Sequence, residues 1–403
     1  EAGPALPLHH GGALGQLLLL GEAAAAQPQR AAAAQQALAD LRPESEPEMW
    51  AAVNDELADS LAGAAGPEAI PQLETAVAAG RQALAVWDRP PHAGSPKQAR
   101  TRQALFAAAR SLATAYCERG QGDHGQDIET ALAILETVLA PPLAAPGSVA
   151  WGRAQMVLGN AYILRQRGSR KENLQRALKC HTEALAAFPL PDHAEDWARA
   201  CYNLAIAYRQ MPPGSLAGHL QHACHYYAQA LRVFTATAHP AEWASIQAAL
   251  GDVYGQREFG GRPRSLQDAQ RCYRAALETR TPERNPAGWA TLQNNLGNVC
   301  AEQAEDEADP AVQRQLLRQA ITYYAAALTE RPRTRFPARW AETVNNLGVA
   351  YSQGPTGDAS ADFERAVNYL RQALEVHTPQ RYPRACRRAA LNLARLLFGQ
   401  RQW

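Results

Sequence analysis

His219, His222 and His225, with Cys224 between them, are the densest group of metal-capable side chains in the sequence. On a helix the three imidazoles spread over about 120°, too wide for one metal to collect all of them. The pattern reads as histidines at a helix edge or between helices. Cys117, Cys180, Cys201, Cys224, Cys272, Cys300 and Cys386 give an odd count and no CxxC pair. That argues against a disulfide framework and against a structural zinc site, so reduced thiols packed between helices are expected. Gly260-Gly261 lacks the Gly-Lys-Ser/Thr that would make a nucleotide loop. No GxSxG, HExxH or EF-hand loop occurs. The expectation is a chain with no catalytic residue, no metal and no cofactor.

The chemistry must then lie in binding, and the elements that present binding groups come from a repeat. Trp151, Trp197, Trp243 and Trp289 are each 46 residues apart, and Trp340 follows after 51. Seven residues after each stands a leucine: Leu158, Leu204, Leu250, Leu296 and Leu347. A small residue follows it: Gly159, Ala205, Gly251, Gly297 and Gly348. Eleven after the Trp come Tyr162, Tyr208, Tyr254, Cys300 and Tyr351. These spacings put Trp, Leu and Tyr on one face of a helix. A second helix follows in each unit, marked by Ala177, Ala223, Ala269, Ala320 and Ala366, then by pairs such as Ala230-Leu231 and Ala276-Leu277. The Trp row itself is expected to pack at junctions between units rather than to form an aromatic ligand ladder.

Projecting the same template backward places earlier units at Trp50 and Leu105. Prolines at Pro90-Pro91, Pro141-Pro142, Pro189, Pro191 and Pro332 end second helices and open extended links. The expected organisation is a degenerate N-terminal repeat or cap over residues 1–45, with Leu20-Gly21 as a worn first helix. Seven helix pairs over 46–380 start near 50, 105, 151, 197, 243, 289 and 340. A single basic capping helix covers 381–403. Nothing reads as a strand, so the fold class is all-α, a solenoid of antiparallel helix pairs.

Leu250-Gly251, Tyr254, Ala269, Tyr273 and Ala276 carry a pattern that resembles the tetratricopeptide repeat (TPR), and the match runs over roughly residues 50 to 400. That repeat is usually about 34 residues long. The longer period here, with the Trp-Ala opening and Asn-Asn-Leu-Gly at Asn294–Gly297 and Asn345–Gly348, looks like a bacterial subtype found beside CHAT peptidase domains or signalling ATPases. No such catalytic domain is found within the 403 residues. The resemblance implies a right-handed superhelix whose first helices line a concave groove. Carried onto this sequence, the groove positions are Arg153, Met156, Asn160, Arg199, Tyr202, Arg209, Asp252, Gln256, Asn294, Asn298, Glu302, Glu342, Asn345 and Gln353, with Asp55, Asp59, Arg110 and Glu118 from earlier units. Asn side chains both donate and accept, which suits an extended peptide. They equally suit bonds between neighbouring helices, and Asn295 and Asn346 are expected to be structural.

The composition is 46 % hydrophobic and 20 % charged, with net charge +1. That excludes a disordered chain and gives no whole-chain argument for nucleic acid or an anionic membrane. The most apolar run, Leu17–Leu20, is far too short to span a bilayer. Charge is uneven along the chain: the first hundred residues hold twelve acids and six bases, whereas Arg381, Arg384, Arg387, Arg388, Arg395 and Arg401 lie near the end with no acid. The basic surface of Arg384, Arg387, Arg388 and Arg395 could serve solubility, an anionic partner, or head-to-tail self-association with the acidic end. The expected function is a non-enzymatic, cytoplasmic scaffold or adaptor that holds a protein or peptide in its groove, with no nucleic acid and no membrane as partner. The alternatives are a regulatory arm for a separate CHAT-type protease or ATPase, and a peptide-modifying enzyme on a helical scaffold.

Overall fold

The computed structural model describes residues 27–90, 92–119, 123–140, 145–212, 216–256 and 262–399. Among them every regular element is helical: sixteen α-helices and one 3-10 turn, Pro67–Ala69. The chain divides into two compact units, Glu1–Gly214 and Ser215–Trp403.

The first unit holds α1 (Gln27–Asp40), α2 (Pro47–Leu61), α3 (Ile70–Trp87), α4 (Pro96–Glu118), α5 (His124–Leu139), α6 (Val149–Leu164), α7 (Arg170–Ala186) and α8 (Ala194–Arg209). The second holds α9 (Leu216–Ala230), α10 (Pro240–Gly255), α11 (Arg262–Leu277), α12 (Pro286–Glu305), α13 (Pro310–Thr329), α14 (Pro337–Tyr351), α15 (Ala359–Val376) and α16 (Pro383–Gly399). Within each unit consecutive helices pack on one another, as the repeat requires. Positions 50, 105, 151, 197, 243, 289 and 340 fall in α2, α4, α6, α8, α10, α12 and α14, and position 105 lies mid-helix, nine residues after α4 begins at Pro96. The division between units falls inside the repeat that begins at Trp197. Leu20-Gly21 and Leu17–Leu20 lie outside the described residues, as do Pro91, Pro141-Pro142, Gly260-Gly261 and Arg401.

Local chemistry fixes the helix starts. Ser95 and Ser148 cap α4 and α6 by accepting from the backbone N–H of Gln98 and Trp151, both at 3.2 Å. Asp309 and Asp358 do the same for α13 and α15. Such caps contribute about 1 kcal/mol each. Proline occupies the first turn of α2, α4, α10, α12, α13 and α14. Its missing N–H costs nothing there, because the first-turn donors have no partner inside the helix.

Small residues set the spacing between helices. Ala154, Ala161, Ala177 and Ala184 in the first unit, and Ala269, Ala276, Ala320 and Ala327 in the second, are fully buried. The glycine after the repeat leucine has a specific cause. A Cβ on Gly251 or Gly297 would sit 2.5 Å from the ring of Tyr273 or Tyr324. On Gly159 it would meet the His181 ring at 2.5 Å, and on Gly348 the Leu370 side chain at 2.7 Å. The first helix therefore leaves a notch into which one large side chain of the second helix drops.

The Trp row packs as expected but stays half-buried. Trp151 lies on the main core of the first unit, Trp197 on Ala184, Phe188 and Ala200, and Trp243 on Leu266 and Tyr273. First helices of successive repeats touch one another, α2 with α4, α4 with α6 and α6 with α8, and likewise α12 with α14 and α14 with α16. Second helices make no comparable contact among the described residues. In the first unit the first helices therefore form one continuous lining; in the second, α12, α14 and α16 adjoin in the same way, and α10 is tied to α12 by the bond from Asn295 to Asp252.

Candidate functional site

A cleft of about 600 Å³ opens between α4 and α6 in the first unit. Its walls come only from first helices and the links that lead into them. Phe106 and Trp151 supply aromatic surface, with Ala99, Ala107 and Ala150 around them. Arg102, Arg110 and Arg153 supply three guanidinium groups.

The three arginines are not equivalent. Arg153 turns along α6 to Asp196 on α8, donating from Nε at 3.0 Å and Nη2 at 2.7 Å. Arg102 donates from Nη2 to Asp88 at 3.1 Å. Asp88 also accepts from Gln98 at 2.6 Å. The buried Nε of Arg102 finds no acceptor. Arg110 makes no side-chain hydrogen bond or ion pair among the described residues. Burial, followed by the nearby Arg153 charge, holds its pKa below the usual guanidinium range, and Asp196 only partly offsets this. An unpartnered, half-buried cation beside another cation is an electrostatically strained arrangement that an anion would relieve.

The remaining first-helix positions divide by unit. In the first unit Met156 packs with Trp197 against the Ala184–Phe188 cluster. Asn160 is half-buried, and Tyr202 and Arg209 on α8 are half-buried and engaged with neighbouring groups. Arg199 is exposed and pairs with Glu195 at 3.6 Å. Of the expected groove set only Arg153, together with Arg110, reaches the cleft. Asp55 accepts from Trp87 Nε1 at 2.8 Å and from Thr101 at 2.6 Å, with burial raising its pKa. It is a link between repeats.

In the second unit most of the expected groove residues are spent on the scaffold. Asp252 accepts from Tyr273 Oη at 2.8 Å and from Asn295 Nδ2 at 3.2 Å. One repeat later Asn298 accepts from Tyr324 Oη at 2.9 Å and from Asn346 Nδ2 at 3.0 Å. The same three positions thus form the same bond pair twice. Asn294 is buried and accepts from Thr343 at 3.0 Å, while buried Asn345 accepts from Asn392 at 3.3 Å. Asn295 and Asn346 are structural, as expected. Glu302, its pKa raised by burial, stands 3.7 Å from Arg262, and Glu342 pairs with Arg339 at 3.4 Å. Gln256 is exposed and Gln353 half-buried. Gln256 and Glu302 line one open pocket together with Arg262 and Glu305.

Arg384, Arg387, Arg388 and Arg395 are exposed on α16, alongside exposed Leu391, Leu397 and Phe398. Arg395 also borders an open hollow between α14, α15 and α16. His219, His222 and His225 lie on α9, and no group of three or more His, Cys, Asp or Glu side chains among the described residues gathers as a metal site would. Sequence reasoning missed Arg102 and Phe106. They stand one turn before and one residue after Leu105, which replaces the Trp of other repeats, and no period marks them. It also missed Arg331, buried at the end of the α13 repeat, which donates to Thr343 at 3.0 Å and Thr291 at 2.8 Å.

No helix among the described residues is long and apolar enough to cross a membrane. No protein-family model matches the chain, and no curated protein matches it. Among solved structures, the human IFIT1 dimer with PPP-AAAA is 13% identical, with 96% of this chain and 85% of that chain covered and a TM-score of 0.40. A circular tandem repeat protein with novel repeat topology is 13% identical over 96% of this chain and 88% of that one, with a TM-score of 0.21. The consecutive helix pairs, the shared notch at the repeat glycine and the recurring bond pair are sufficient by themselves: this chain is a helical-repeat protein.

Proposed function

We propose that the chain is a non-enzymatic scaffold of TPR-like repeats that receives a protein or peptide partner on the face lined by its first helices. The observation that carries this reading is the α4–α6 cleft, where aromatic surface and an unpartnered Arg110 stand together on that lining. Binding sites combine an apolar wall with a few polar groups that fix orientation, and Trp and Arg are enriched among residues that carry binding energy. The cysteines support a packing role rather than catalysis. Burial pushes the thiols of Cys117, Cys180 and Cys201 up to about 12 and those of Cys272 and Cys300 up to about 11. Thiols held that high stay protonated at neutral pH and are poor nucleophiles.

The test compares two faces of the same unit. A photo-crosslinking residue is placed at Gln103, exposed at the cleft, and in a second protein at Lys179, exposed on α7. After irradiation in host lysate, capture of one protein in tenfold excess from position 103 is expected. Equal capture from both positions, or none from position 103, would overturn the reading.

A further inference from the structure

We infer that the α4–α6 cleft takes a monoanionic carboxylate carried beside an apolar group, in the form of an acidic side chain flanked by an aromatic or large aliphatic residue in an extended partner segment. This deepens the scaffold reading and rests on it.

The charge of the ligand follows from the groups present. Three guanidiniums line the cleft, and two carboxylates reach them: Asp88, 3.1 Å from Arg102, and Asp196, 2.7 Å from Arg153. Arg110 is left over, with Asp196 acting on it only at longer range and Arg153 repelling it. One carboxylate balances that excess. A phosphate monoester, close to two negative charges at neutral pH, would overshoot it. A guanidinium also presents its N–H donors as a planar fork that matches a carboxylate.

The body of the ligand follows from the walls. Phe106 lies one helical turn from both Arg102 and Arg110 on α4, nearly buried at 7% exposure, and half-buried Trp151 lines the cleft from α6, with Ala99, Ala107 and Ala150 alongside. A volume of about 600 Å³ holds one or two large side chains and lies within the usual range for ligand pockets. The lining spans two successive first helices, α4 and α6, so one ligand segment can touch two repeats. An acidic residue beside an aromatic one meets both features within a dipeptide.

The experiment screens the full chain against an immobilised library of acetylated, amidated hexapeptides that includes phosphoserine, with bound sequences read by mass spectrometry. Enrichment of Asp or Glu next to Phe, Trp, Tyr, Leu or Ile is expected. Arg110→Gln should lower that acid preference at least tenfold with an unchanged melting temperature, and Arg110→Lys should retain part of it. Enrichment without acid preference, or one that Arg110→Gln leaves intact, overturns the cleft assignment while leaving a groove scaffold standing. Preference for phosphoserine over Asp and Glu overturns the charge count. If no peptide is enriched by the wild-type chain, peptide recognition fails altogether. Titration with 3-phenylpropionate is the separate arm: Arg110-dependent binding of this free acid without any enriched peptide would assign the cleft to small carboxylates and overturn the peptide proposal.

Discussion

The two units solve the same packing problem with different polar groups. In the second, Tyr273 and Tyr324 fill the notches over Gly251 and Gly297, and their hydroxyls bond Asp252 and Asn298, which also accept from Asn295 and Asn346 of the next repeat. In the first, the notch over Gly159 is filled by His181, whose ring nitrogens are fully buried and have no hydrogen-bond partner. Its repeats are tied instead by ion pairs such as Arg153–Asp196 and Arg165–Glu129. The second unit has used most of its first-helix amides and acids internally. A buried histidine with an unpartnered ring nitrogen is common to both, His181 in the first and His377, at Nδ1, in the second, whereas the unmatched Arg110 on the lining belongs to the first. Residues that folding does not satisfy are where a binding role has room to act.

Breaking the notch in the second unit should have the largest effect. Gly297→Ala drives a methyl to within 2.5 Å of the Tyr324 ring. Overpacking of this kind costs about 1–3 kcal/mol. A chemical-denaturation midpoint equal to wild type would show that the ring can move aside and that the notch does not set the spacing.

Acid should act on both units next, since burial also lowers the pKa of His377 in the second, and it should act on the first through His181. Burial lowers the His181 pKa from 6.5 to about 3. Its neutral form is favoured in the folded state, so the unfolded chain binds the proton more readily. The contribution of His181 to stability is therefore constant above pH 6.5, falls by about 1.4 kcal/mol per pH unit below that, and levels off near pH 3. Hydrogen exchange should show amides of α6 and α7 losing protection between pH 6.5 and 5. His181→Leu, which installs the residue that fills the equivalent notch at Leu370, should abolish that loss. Persistence of the same acid response in His181→Leu would place its origin elsewhere.

The smallest stability effect is expected at the cleft. Arg110→Gln removes a half-buried cation that faces Arg153, so the unfolding free energy should stay within about 0.5 kcal/mol of wild type or rise. A larger loss, measured by denaturant titration, would show that Arg110 supports the fold and would remove the contrast with the second unit.

Much of the fold was legible because it is periodic. Trp, Leu, Gly and Tyr recur at spacings that a helix turns into a single face, and each repeat meets nearly the same neighbours. The structural role of Asn295 and Asn346 was legible for the same reason, since both occupy one position in successive repeats. The site was legible only in part. Arg153 and Arg110 could be placed on the lining from their offsets, but those offsets do not say that Arg153 is bound to Asp196 and Arg110 to nothing. Asn294 and Asn345, read as groove residues, are buried at 4% and 3% exposure. Their offset sits on the boundary between lining and contact, and a small helix rotation moves a side chain across it.

The sequence by itself determined the helices, their pairing and the small residue after each repeat leucine, because those depend on residues at fixed separations along the chain. Only the tertiary structure decided which polar groups are spent on folding and which are left over. Asp196 lies 43 residues beyond Arg153, and Thr343 lies 49 beyond Asn294. Whether such partners meet depends on the angle at which one repeat stacks on the next, set by the packing of many side chains together.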